Sequence, residues 1–194
     1  MYLVELITQF DIKLFLFLNG LHSSFFDSIM YFISQKFVWI PFYAFLLFLL
    51  YKKYKFQTIY LLFLVLFLTV LSDQSTVFFK NYFQRLRPCH NPEIIEMVHL
   101  VKNYCGGTYG FVSSHASNTF SLAVFIIFYL RYSYRWITVS LVLWASVVSY
   151  SRIYLGAHYP LDVLAGAVWG IFITLLIITT CNKIKPQFFN PYKL

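Results

Sequence analysis

Three cations, two histidines, a carboxylate and two serines are gathered in three short segments whose residue types suit the handling of an anion. Lys80 and Arg87 stand in "KNYFQRLRPC", Ser113, Ser114 and His115 in "GFVSSHAS", and Arg152, His158 and Asp162 in "SRIYLGAHYPLD". Lys80 precedes Arg87 by seven residues, two helical turns, which puts both on one face if the helix continues. Pro88 disfavours helical geometry at Arg87 and turns the chain. The serines and His115 fall at an expected helix start, where free backbone N–H groups and the positive end of the helix dipole attract anions. His158 and Asp162 are four residues apart across the entry to another helix. At that spacing a carboxylate can accept a hydrogen bond from one ring nitrogen and leave the other as a nucleophile or base. Together these groups imply a phosphate ligand.

Membrane helices must position these segments. Hydrophobic residues make up 60% of the 194-residue chain, aromatic residues 22% and charged residues 11%, the composition of a polytopic membrane protein. Five apolar runs approach the roughly 20 residues needed to cross a bilayer: residues 25–51, 57–79, 116–130, 136–150 and 161–181. The third and fourth are short, and their flanking arginines are expected to snorkel to the interface. Residues 1–20 are apolar but carry Glu5, Asp11 and Lys13 without the basic start of a signal peptide. They predict an amphipathic helix on the membrane surface, with a sixth span as the alternative. The expected fold is therefore all-α: a single-domain polytopic membrane helical bundle over residues 1–194, with about five transmembrane helices plus the N-terminal amphipathic helix. No repeat or interdomain linker interrupts it.

Basic residues cluster in the connections after the first and third runs and at the chain end: Lys52, Lys53, Lys55, Arg131, Arg135, Lys183, Lys185 and Lys193. Short loops of this kind stay in the cytoplasm. The net charge of +8 is thus a topology signal, and no nucleic acid partner is expected. Residues 80–115 then form an extracytoplasmic loop, which carries the active site together with 151–162. Cys89 and Cys105 lie in that loop, where an oxidising compartment permits a disulfide. They lack the spacing of a metal site.

The three segments resemble the motifs of the type 2 phosphatidic acid phosphatases, membrane relatives of vanadium haloperoxidases and glucose-6-phosphatase. A lysine, six residues and Arg-Pro are matched by Lys80 through Arg87 and Pro88. Ser-Arg, five residues, a histidine, three residues and an aspartate are matched by Ser151, Arg152, His158 and Asp162. Of the family's Pro-Ser-Gly-His this chain keeps Ser113 and His115 but has Val112 and Ser114 in place of proline and glycine. The resemblance implies His158 as nucleophile forming a phosphohistidine, Asp162 as the group that holds its tautomer, and His115 as general acid and then base. Lys80, Arg87, Arg152, Ser113 and Ser114 would bind the phosphoryl oxygens. The scheme uses no metal and no cofactor.

The implied activity is hydrolysis of a lipid phosphate or diphosphate at the outer face of the bilayer, and the positive-inside pattern with short connections suggests a bacterial inner membrane. Undecaprenyl diphosphate is the favoured substrate, with phosphatidylglycerol phosphate, phosphatidic acid and lipid A 1-phosphate as alternatives. Phosphotransfer to an acceptor hydroxyl and non-catalytic anion or lipid binding are the competing classes. Asp73 lies seven residues before Lys80 on the same helical face, and an acid at membrane depth needs a partner; it is either an outer support of the site or a structural polar contact. His22, His90 and His99 read as loop or surface histidines, and Tyr154 and Tyr159 as members of an interfacial belt, with a place at the substrate entrance as the alternative.

Overall fold

A computed structural model describes residues 2–184 of the chain. Helix α1 (Tyr2–Gly20) is followed by α2 (Ser24–Ser34), α3 (Ile40–Tyr54), α4 (Thr58–Phe83), α5 (Ser114–Leu130), α6 (Ile137–Tyr154) and α7 (Pro160–Ile184). Among the described residues there is no strand, only one isolated bridge in the segment between α4 and α5. The all-α bundle expected from composition is what forms. Three stretches are long and apolar enough to cross a membrane, Lys36–Phe83 (which holds α3 and α4), Ile137–Tyr154 and Pro160–Ile184; α5 is a shorter apolar helix. Large apolar side chains such as Phe63, Phe67 and Phe78 on α4 and Leu164, Val168 and Phe172 on α7 point outward, which a helix in water avoids and a lipid-facing helix requires.

Helix α5 is central, packed against α4, α6 and most extensively α7. Small residues permit this closeness. A Cβ on Gly166 or Gly170 of α7 would collide with the backbone carbonyl oxygens of Ser113 and Ser117. Hydroxyl pairs stitch the same contacts: Ser72 with Ser117 at 2.7 Å between α4 and α5, and Ser121 with Thr174 at 2.7 Å between α5 and α7. Local signals set the helix starts. Ser23 caps α2 and Ser113 caps α5 by accepting from Phe26 N and Ala116 N. Proline occupies the first turn of α3 and of α7.

Two expectations need correction. The run 25–51 is not one helix: α2 ends at Gln35, which is extended (φ −77°, ψ 127°). The polar triplet Ser34, Gln35 and Lys36 interrupts the run, and Pro41 lacks the N–H that a continuous helix would use there. In α1, Asp11, Phe15 and Asn19, spaced four apart, face inward against α6 and α7, while Phe10 and Phe17 are exposed. Its inner stripe is more polar than its outer face, and Asp11 is buried instead of turned to water. Lys185 and Lys193 of the expected basic tail lie outside the described residues.

Candidate active site

The C-terminal ends of α4 and α6 and the N-terminal ends of α5 and α7 meet at one end of the bundle, and there the three segments converge. Helix α4 stops at Phe83, because Gln84 is left-handed (φ 48°) and closes the helix through Gln84 N to Lys80 O at 3.0 Å. Lys80 and Arg87 therefore do not share one helical face, as the seven-residue spacing suggested. Arg87 follows on an extended segment paired with the far end of the loop: Arg87 N donates to Thr108 O at 3.0 Å and Gly110 N to Arg85 O at 2.8 Å, around the Leu86–Tyr109 bridge. A disulfide joins Cys89 to Cys105, with Cα atoms 5.9 Å apart, beside that pairing.

Arg87 is nearly buried. Its Nε donates to Tyr109 O at 3.2 Å, and its Nη1 lies 3.2 Å from Ala157 O and 3.1 Å from His158 Nε2. A guanidinium only donates, so Nε2 accepts and the ring proton sits on Nδ1. Burial, and after it the charges of Arg87, Arg152 and Lys80, hold the His158 imidazole well below its ordinary pKa. The ring is thus neutral at neutral pH with its lone pair on Nε2.

Asp162 is completely buried in the first turn of α7. Its Oδ2 accepts from Tyr159 N at 3.1 Å, the back-bond of a capping box. Its Oδ1 accepts from Arg85 Nη1 at 2.6 Å. The distance from Oδ2 to His158 Nδ1 is 3.6 Å, so the hydrogen bond expected from the four-residue spacing is not closed; the carboxylate's lone pairs are engaged by Arg85 and Tyr159 instead. Gly110 lies against both groups. A Cβ there would stand 2.8 Å from Asp162 Oδ2 and 3.5 Å from His158 Nδ1.

Arg152, in the last turn of α6, is 1% exposed. It reaches Ser34 Oγ on α2 and, at 3.3 Å, Tyr104 OH in the outer loop, with the guanidinium over the Tyr104 ring. It is not the snorkelling interfacial arginine expected at a short span. Lys80 Nζ donates to Ser114 Oγ, whose oxygen is 2.6 Å from Thr76 Oγ1. Among the described residues none of Lys80, Arg87 and Arg152 forms an ion pair. Three partly or fully desolvated cations without a carboxylate are costly unless an anion joins them.

These cations, Ser114, His115 and His158 line one end of a cavity of about 780 Å³. Its other walls are apolar: Ile40, Tyr43 and Leu47 of α3, Leu62 and Leu66 of α4, and Leu122 and Ile126 of α5. Ser113 is not on the cavity wall. Its Oγ caps α5 and its N–H donates to Asp162 O at 2.9 Å, tying α5 to α7. Asp73 reaches the cavity and accepts from Asn118 Nδ2 at 3.4 Å rather than from Lys80. His99 bonds Asp27 at 2.9 Å and stacks on His22 with centroids 3.7 Å apart, away from the cavity, while His90 reaches Gly106 O at 3.3 Å. Tyr154 and Tyr159 are buried, at 1% and 2% exposure, and not interfacial.

Sequence reasoning passed over Arg85, Asp11, Ser34 and Tyr104. The signal available for Arg85 was its place inside the first motif, two residues before Arg87. The other three come from segments with no motif, joined to the site only by folding.

Comparison with known proteins agrees with this geometry. A family profile described as the PAP2 superfamily matches residues 58–186. A lipid A 4′-phosphatase of Bacteroides thetaiotaomicron is 40% identical over 189 residues, 95% of this chain and 83% of the relative. An undecaprenyl-diphosphatase of Sulfolobus acidocaldarius is 30% identical over 172 residues, 87% of this chain and 77% of the relative. The crystal structure of a transmembrane PAP2-type phosphatidylglycerolphosphate phosphatase from Bacillus subtilis superposes with a TM-score of 0.70 at 19% identity, covering 92% of this chain and 88% of that one.

Proposed function

This chain belongs to the PAP2 superfamily and is an integral-membrane lipid phosphatase, and from that premise we propose that it removes the 4′-phosphate of lipid A at the outer face of the membrane. The observation that carries the reading is one cavity in which three cations that form no ion pair among the described residues and two histidines meet an apolar wall, matching a phosphate on a head group whose acyl chains remain among helices. The choice of lipid A over undecaprenyl diphosphate follows the relative of higher identity and coverage. Undecaprenyl diphosphate is the second reading, favoured by the relative at 30% identity.

His158 Nε2 attacks phosphorus, forming a P–N bond as the bond to the sugar oxygen breaks, and His115 gives that oxygen a proton. His115 then takes a proton from water, whose oxygen attacks phosphorus and releases inorganic phosphate and the neutral His158 ring. The Arg87 N–H that rests on Nε2 turns to a phosphoryl oxygen, beside Lys80, Ser114 and Arg152. As the ring gains charge, the 3.6 Å gap between Nδ1 and Asp162 shortens into a hydrogen bond, the tightening expected when a catalytic contact goes to work. The orientation rests on the opposite end of the bundle. Lys52 and Lys53 in the last turn of α3, Lys55 just after it, Arg131 and Arg135 in the α5–α6 connection, and Lys183 in the last turn of α7 all lie there, which supports a cytoplasmic placement of that end. Helix α1 then lies at the outer interface, with residues 80–115 as the extracytoplasmic loop.

The test is phosphate release by purified protein in detergent with EDTA, comparing wild type with His158→Ala on lipid A bearing 1- and 4′-phosphates and on undecaprenyl diphosphate. The expected result is loss of the 4′-phosphate, resolved by mass spectrometry, in wild type only. Loss of the 1-phosphate, or a higher kcat/KM on undecaprenyl diphosphate, overturns the assignment of substrate; equal release by the variant overturns the assignment of nucleophile.

A further inference from the structure

Helix α1 lies outside the family-matched segment, yet it carries a buried carboxylate wired to the site. Asp11, 1% exposed, accepts from Arg85 Nη2 at 2.6 Å through Oδ2 and from Leu161 N at 3.0 Å through Oδ1. The same guanidinium donates through Nη1 to Asp162 Oδ1 at 2.6 Å. Arg85 is held in this bridging pose by the Tyr159 ring, 4.3 Å beneath it, and Tyr159 is braced in turn by Phe15 of α1, with ring centroids 5.4 Å apart.

Charge balance gives the bridge a purpose. Arg85 paired with Asp162 alone would sum to zero and weaken the field of the carboxylate at His158 Nδ1, 3.6 Å away. With Asp11 sharing the guanidinium, the two carboxylates and one cation sum to a single negative charge, and Asp162 keeps its attraction for a ring that becomes positive. Arg87, Arg152 and Lys80 all oppose that positive charge, so the counter-charge matters more here than in a site with fewer cations.

We propose that Asp11 is a positioning residue of the phosphatase reaction: through Arg85 it fixes Asp162 and preserves its negative charge toward His158, making α1 part of the active site. This rests on the roles assigned to His158 and Asp162 above. Asn19, at the other end of α1, supplies the control. It holds the helix by donating to Tyr154 O at 2.8 Å and accepting from His99 N at 2.8 Å, without touching Arg85.

The experiment measures kcat, KM and Tm of the full chain in detergent micelles on lipid A bearing both phosphates, for Asp11→Asn, Asn19→Ala, the double variant Asp11→Asn with Arg85→Gln, and His158→Ala. Asparagine keeps an acceptor for Leu161 N but removes the charge. The expected result is a fall in kcat of about tenfold or more for Asp11→Asn, the scale of sub-ångström misplacement of a catalytic group, with KM little changed. Asn19→Ala lowers Tm without that fall. The double variant regains part of the lost kcat, because removing one positive and one negative charge leaves Asp162 uncancelled. Wild-type kcat in Asp11→Asn, kcat losses that track Tm in both α1 variants, or no recovery in the double variant each overturn the proposal. If His158→Ala retains wild-type activity, the underlying site assignment fails instead.

Discussion

Gly110 is the position where one added methyl group tests the site's geometry most directly. A Cβ there would stand 2.8 Å from Asp162 Oδ2, about 0.6 Å short of ordinary contact, which begins at 3.4 Å. Neither side can yield cheaply. Asp162 is fully buried and held by Arg85 and Tyr159 N. Gly110 is pinned by its N–H to Arg85 O at 2.8 Å, and Arg87 Cγ would be 3.3 Å from the same Cβ. Gly110→Ala must therefore displace the carboxylate from its place beside the His158 ring by about 0.6 Å. Scaling from about 100-fold per ångström of misplacement, kcat falls about 15-fold, near 1.6 kcal/mol of transition-state stabilisation. Overpacking of this kind costs about 1–3 kcal/mol of stability as well. The assay is steady-state phosphate release alongside a thermal melt, with Gly107→Ala as the comparison, because a Cβ at Gly107 meets nothing within 4 Å. A Gly110→Ala enzyme with kcat within about twofold of wild type would refute the reasoning that Asp162 acts from a fixed position.

Three further outcomes follow from the same packing and charges. Burial and then Arg87 are the foremost causes that hold His158 below its ordinary pKa, so the acid limb of kcat/KM for wild type lies below about pH 6.5; Arg87→Gln removes an opposing cation and moves that limb to higher pH, read from a pH–rate profile. Gly170→Ala drives a methyl group into the Ser117 carbonyl, which is backbone and cannot rotate away, so a Tm loss equivalent to about 1–3 kcal/mol is expected in a detergent melt. Reducing the Cys89–Cys105 bond, which closes a sequence separation of 16 residues, removes about 3 kcal/mol by loop entropy. It also loosens Gly106, whose added Cβ would lie 3.4 Å from Arg87 Nη1, so dithiothreitol is expected to lower both Tm and kcat/KM.

Much of the site was legible because Lys80, Ser114, His115, Arg152 and His158 sit at ends of apolar runs, and alternating membrane crossings bring such ends together on one side. The break at Gln35 was marked by the polar triplet and Pro41 but was averaged away in a long apolar run, and that Ser34 bonds Arg152 there emerges only on folding. Hydropathy could not show Asp11 either, which is 74 residues from Arg85 in a helix whose composition suggested a surface-lying element. The segment between Lys80 and Pro88 was misread for a different reason. A helical period was applied where Gln84 had already ended the helix, and beyond it the chain is extended, with a period of two. Arg85 and Arg87 therefore share a face, while Leu86 between them is 38% exposed. That alternation lets one arginine reach the histidine and the other its neighbouring carboxylate. Arg87 meets the Nε2 lone pair at 3.1 Å, and Arg85 holds the carboxylate beside Nδ1. In the proposed mechanism the first arginine turns from the nucleophile to the phosphoryl oxygens, while the second keeps its two carboxylate partners. Two residues of one type, two positions apart, would thus be divided into a mobile and a fixed role by what each one faces.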